Sequence, residues 1–173
     1  MKIDLGNPDW RTTFPPTRSV ASDAPAIACA FSRDGKTVAF ALGDGSVRLL
    51  PSGLKDPAPA ITVAAHKGAV LSLIADPRGD GFVSGSDDGR LLRIATDGGI
   101  TELANQKGKW IDKLAAHRAT GAVAASAGKM ALLLDKEGQV REFGPHASTV
   151  AAVDFSKDGG RIAAAHYNGI TIW

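Results

Sequence analysis

A single cysteine, Cys29, in 173 residues excludes an intrachain disulfide and leaves no Cys pair to complete a zinc site. Charge of neither sign dominates. The formal net charge is +2, and the Lys and Arg residues are scattered rather than massed beside aromatics, so nothing points to nucleic acid as a partner. No apolar run reaches the roughly 18 residues a membrane span needs. Met1-Lys2-Ile3-Asp4 does not open a charged-then-apolar leader, so neither a membrane partner nor a secretory signal is expected, and the chain is expected to be cytoplasmic.

Catalytic and metal-binding patterns are equally sparse. His66, His117, His146 and His166 come from separate stretches without metal-ligand spacing. Asp87-Asp88-Gly89 lacks the further carboxylates of a calcium loop. Gly43-Asp44-Gly45 lacks the Lys and helix of a phosphate cradle, and Ser84-Gly85-Ser86 precedes no helix, so it is no nucleophile elbow. No metal, cofactor or catalytic residue is expected. Cys29 alternates with Ile27 and Phe31 along one strand, which predicts a buried, inert thiol.

What the chain does have is glycine, 20 residues of it, and an internal repeat. Four segments share one order: a short apolar strand, a turn, a small-residue strand, a tight Gly turn and a third strand. They start at Ile27, Val70, Ile111 and Val150, spaced by 43, 41 and 39 residues. The second turns fall at Asp44-Gly45, Asp88-Gly89, Gly128-Lys129 and Asn168-Gly169; Asp-Gly and Asn-Gly suit a two-residue hairpin that needs positive φ. Third strands follow at Ser46–Leu50, Arg90–Ile94, Met130–Leu134 and Ile170–Trp173. Alanine clusters at Ala26–Ala30, Ala122–Ala127 and Ala163–Ala165 are read as close packing between layers covered on both faces.

Residues 27 to 173 resemble the WD40-repeat family. The second repeat carries the resemblance best, with His66 before the first strand, Ser84 and Ser86 in the second and Asp88-Gly89 in the turn. In that family His, Ser or Thr, Asp and Trp form a hydrogen-bonded set that ties a blade together. The resemblance therefore implies a blade lock from His66, Ser84 or Ser86, and Asp88, with Ile94 in the Trp slot. The fourth repeat offers His146, Asn168 and Trp173, with Ala164 and Ala165 in place of the hydroxyl; Leu50 and Leu134 fill the Trp slot in the first and third, and His117 lies in a different turn.

The resemblance implies an all-β fold, a β-propeller of four-stranded antiparallel WD40-like blades, about four of them in this chain. The expected organisation is an N-terminal arm over 1–25 and repeats over 26–64, 69–104, 110–143 and 149–173, the last without its outer strand. The arm carries Pro8, Pro15 and Pro16 with Trp10 and Phe14, and its Thr17–Ala21 segment is the expected closing outer strand. A ring of 4–8 blades then requires closure in one of three ways: the remaining half of a longer propeller, self-association into a two-fold ring, or a small four-bladed ring. The stop after Ile172-Trp173 reads as a cut inside a repeat, so the first is preferred. Exposed end faces are expected among Ile27, Phe31, Val150, Val153 and Phe155.

The functional expectation is a non-enzymatic protein–protein interaction scaffold. Its rim of loops would hold Lys67, Asp87, Lys107, Lys109, Trp110, Lys129, Ser148, Tyr167 and Asn168. Trp110 is either a partner anchor or a side chain tucked under a neighbouring loop, and Tyr167 is weighed the same way. The alternative is a propeller that binds or hydrolyses a small molecule in its central channel with residues from a missing half.

Overall fold

The computed structural model describes residues 20–53 and 59–173. Among these residues every regular element is a strand. The first sheet contains β1 (Ala26–Phe31), β2 (Thr37–Leu42), β3 (Ser46–Pro51) and β4 (Ile61–Ala64). The second contains β5 (Val70–Ala75), β6 (Phe82–Ser86), β7 (Arg90–Ile94) and β8 (Ile100–Asn105). The third contains β9 (Leu114–His117), β10 (Ala122–Ala127), β11 (Met130–Leu134) and β12 (Val140–Phe143). The fourth has three strands, β13 (Val150–Phe155), β14 (Ile162–His166) and β15 (Gly169–Ile172). Each sheet is an antiparallel meander, and the four are blades of a propeller that does not close within this chain.

Consecutive blades stack face to face, with β1 against β5, β5 against β9, and β9 and β10 against β13. Residues alternate across each strand, so every blade has a forward face toward the next blade and a backward face toward the previous one. Ala39, Ala41, Val47 and Leu49 on the forward face of blade 1 meet Leu73, Phe82, Leu92 and Ile94 on the backward face of blade 2. The neighbouring residues Val83 and Leu91 point the other way, into Val123, Ala125, Leu132 and Leu134 of blade 3. A smaller third core joins Ala131 and Phe143 to Val150, Ala164 and Trp173. This geometry explains the alanine cluster Ala122–Ala127, buried along the whole of β10, because a strand covered on both faces brings neighbouring sheets close only if one side is small; the expectation does not extend to Ala26–Ala30 and Ala163–Ala165, whose strands are only partly buried.

Several expectations need correction. Cys29 is exposed, because it lies on the face of blade 1 turned away from blade 2, where none of the described blades covers it. Val150 is fully buried and, with Val153, packs on blade 3; the large aliphatic side chains blade 4 exposes are Ile170 and Ile172. The third inner strand begins at Leu114, not Ile111. Ile111 is instead drawn toward blade 2 by its N–H bond to Ser86 O, while Ser126 Oγ accepts from Lys113 N and donates to Asp112. The Ser126 side chain thus replaces part of the ladder. Val20 and Ala21 form no strand; Ala21 O accepts a bond from Arg48 Nη1. Thr17, Arg18 and Ser19, and the arm residues Pro8, Trp10, Phe14, Pro15 and Pro16, lie outside the described residues.

Candidate functional site

The hairpin turn of blade 2 holds the most developed polar cluster. Gly89 has φ 81°, and a Cβ there would stand 2.5 Å from Gln106 O, so only glycine lets the turn pass beneath the loop that follows β8. Gly45 has φ 89° and accepts His66 N, which delivers the imidazole to blade 2. His66 Nδ1 lies 3.1 Å from Asp88 Oδ1, and Nε2 lies 2.9 Å from Ser84 Oγ. With the carboxylate accepting from Nδ1–H, Nε2 accepts from the serine hydroxyl. Asp88 also accepts from Lys67 N and Arg90 N, each at 2.9 Å. Burial raises the Asp88 carboxyl, but those two N–H groups and His66 outweigh it and hold the group below the ordinary carboxylate range. Ser86, the alternative hydroxyl, does not touch His66; its Oγ bonds Asp88 N and Asp87 instead.

Blade 4 has a different arrangement. Asn168 is exposed at the turn and makes no hydrogen bond to His146, contrary to the implied lock. His146 is buried, stacks on His166 with ring centroids 4.8 Å apart and meets Trp173 edge-on at 5.4 Å. Its Nε2 has no partner, since Ala164 occupies the register position that Ser84 holds in blade 2. Burial, reinforced by His166, depresses the proton affinity of His146. Burial also lowers His66, against the opposing attraction of Asp88. The unfolded chain therefore takes up protons at higher pH than the folded chain does, so stability falls as pH drops below about 6.5. Denaturation midpoints should decrease from about pH 7.5 to 5.5, and His146→Gln should remove part of that slope. A slope unchanged in the variant would take His146 out of the account.

The rim joins blades 3 and 4 through a chain of contacts. Gly128 N donates to Trp110 O at 3.3 Å, and Val150 N donates to Gly128 O at 2.8 Å. The Lys109 stem lies 3.7–3.9 Å from where a Gly128 Cβ would stand, and its Nζ bonds Gln106. Lys129 Nζ donates to Ala147 O, and Tyr167 N donates to Ser148 Oγ at 2.8 Å. Trp110 is 64% exposed and Tyr167 89%, so neither is tucked under a loop. Their backbones are held while their rings stand in solvent. Lys67, Lys107 and Lys129 are exposed; Asp87 is half-buried beside Gly68 on blade 2.

A family model for "WD domain, G-beta repeat" matches residues 58–92 and 137–173. The chain carries WD40 repeats. Each matched segment takes in the outer strand of one blade, β4 or β12, and continues into the inner strands of the next. A WD40 repeat in sequence therefore straddles two blades in space, and the loop it encloses delivers His66 or His146. No curated protein matches the chain.

The opposite end of these WD40 blades carries polar ties that the repeat pattern concealed. Arg33 Nη1 reaches Pro77 O at 2.8 Å, Arg78 Nη1 reaches Asp135 O at 3.3 Å, and His117 Nε2 contacts Lys157 O at 3.1 Å. In the first three blades a side chain at or just after the end of the inner strand thus bonds the next blade. The buried Asp76 holds Arg93 and Arg78 in the same region. The available signal was a cationic or imidazole side chain at or just after the end of an inner strand in the first three repeats. Among the described residues no group of three or more His, Cys, Asp or Glu converges as a metal site.

Proposed function

We propose that this chain is a non-enzymatic scaffold that binds a protein partner through the rim over blades 3 and 4. WD40 repeats generally serve protein–protein interaction. The observation carrying the finer reading is the pair of solvent-exposed aromatics, Trp110 and Tyr167, on backbone-anchored loops of adjacent blades, flanked by Lys109 and Lys129. Rigid aromatics lose little conformational entropy on burial, and such residues dominate binding hot spots.

The second expectation, a small molecule in the central channel, has less support. Residues of β1, β5, β9 and β13 line a cavity of about 300 Å³ where the inner strands converge. Its charged groups, Asp112 and Lys113, are 2.9 Å apart and pair with each other. A cytoplasmic location belongs to the scaffold reading and suits an exposed, unpaired thiol at Cys29.

Trp110→Ala and Tyr167→Ala should each weaken partner binding by about 2 kcal/mol, as for hot-spot aromatics, with melting temperatures essentially unchanged. The measurement is titration calorimetry on a partner recovered with the wild-type chain. Unaltered affinity in both variants would remove the rim from the interface.

A further inference from the structure

Two lysines on the rim over blades 3 and 4 are held by neutral oxygens. Lys109 Nζ donates to the side-chain oxygen of Gln106 at 3.2 Å, and Lys129 Nζ donates to Ala147 O at 3.1 Å. Among the described residues the lysines in ion pairs are Lys36, Lys113 and Lys136. The carboxylates near the rim are committed elsewhere. Asp112 takes Lys113 and Ser126, Glu142 accepts from Gln106 Nε2 at 2.7 Å, and Asp88 belongs to His66. An ammonium group carries three donors and no acceptor. One bond therefore restrains each lysine, while two N–H groups and the whole charge stay open to a ligand. Lys107 adds an exposed cation in the turn just before Lys109. The contacts form one path across the rim. Lys109 precedes the exposed Trp110 and its stem lies beside Gly128; Lys129 follows Gly128 and reaches Ala147; the next residue, Ser148, accepts the N–H of the exposed Tyr167. Aromatic, charge and aromatic thus follow one another from blade 3 to blade 4.

We infer that the segment this rim binds is an acidic stretch of polypeptide, with apolar side chains against Trp110 and Tyr167 and Asp or Glu carboxylates over Lys109 and Lys129. The inference rests on the rim reading above and adds the sign of the partner's charge. A neutral segment laid over the rim would take the two ammonium groups partly out of water with nothing to replace it. A basic segment would add repulsion between like charges, which complementary interfaces avoid. Carboxylates remove both costs, and they form charge-assisted hydrogen bonds to ammonium groups whose positions are already restrained. A nucleic acid is the poorer fit. Lys107, Lys109 and Lys129 offer few phosphate contacts, and the net charge of the whole chain is only +2.

Short random peptides displayed on phage and selected on the immobilised 173-residue chain should be enriched in Asp and Glu beside aromatic or aliphatic residues. The best of them, synthesised with a fluorescent label, is then titrated by anisotropy. Binding should weaken as salt rises. Lys109→Glu combined with Lys129→Glu should weaken it about tenfold or more, and the same peptide with its carboxylates replaced by Lys should prefer this double variant to the wild type. Circular dichroism checks that the variant folds; Lys107→Glu with Lys129→Glu, both at exposed positions, is the second pair for the same titration. Trp110→Ala and Tyr167→Ala separate the two readings. Peptides that lose affinity in the aromatic variants but ignore the lysine reversals keep the rim as the interface and overturn its acidic preference. Peptides that bind every variant like the wild type overturn both. Selection of basic or uncharged peptides, or of none, also overturns the inference, as does a labelled oligothymidylate that binds the same lysines more tightly than the acidic peptide.

Discussion

Phe82→Ala is expected to lower the unfolding free energy by about 3–5 kcal/mol, the range for removing a large buried aromatic. Phe82 stands first among the fully buried side chains by volume and lies in the core between blades 1 and 2. Its surroundings include Ala39 and Ala41, whose methyl groups cannot extend into the space vacated, so most of the cavity would persist. Phe31 makes a useful comparison. It is the same residue type, but 62% exposed on the face of blade 1 turned away from blade 2, and Phe31→Ala should change the stability by no more than about 0.5 kcal/mol. Denaturant titration at low protein concentration measures both. Equal effects at the two positions would contradict the stacking of blade 1 on blade 2.

The next largest loss is expected for Asp88→Ala, about 1–3 kcal/mol, because it strips a buried imidazole of its acceptor. The carboxylate also receives the N–H groups of Lys67 and Arg90, so its removal loosens the loop and the hairpin together. Asp88→Asn should be milder, since the amide oxygen still accepts from those N–H groups. Ser84→Ala should be milder than Asp88→Ala, as it removes one hydroxyl from Nε2. Hydrogen exchange at the Lys67 and Arg90 amides provides a local readout. Unchanged protection at both in Asp88→Ala would show that the lock does not restrain the turn.

The difference between the two histidine sites shows where reading residues in line reaches its limit. His66 and Asp88 were legible because they flank repeated elements at regular offsets, and the Asp-Gly turn marks itself by its chemistry. The partner hydroxyl was not legible. Ser84 and Ser86 sit on the same face of β6, and only the pairing of Leu73 with Ser84 and Val70 with Ser86 decides which one meets the imidazole. In blade 4, Asn168 occupies the corresponding turn, yet His146 packs on His166 and Trp173 instead.

Strand order, turn positions and the WD40 resemblance were determined by the sequence itself, because hairpin geometry and two-residue alternation depend on neighbours a few positions apart. Exposure was not. Cys29 has the alternating apolar pattern of a covered inner strand, and Phe31 and Ile172 resemble core residues in every local respect. Whether such a side chain is dry depends on a second sheet being stacked against it, a contact between residues 40 or more apart in the chain. The tertiary structure likewise decided that Trp110 and Tyr167 stand in solvent and that His117 bonds the next blade. Each of those outcomes depends on where a neighbouring blade lies, and the local pattern of a strand carries no record of it.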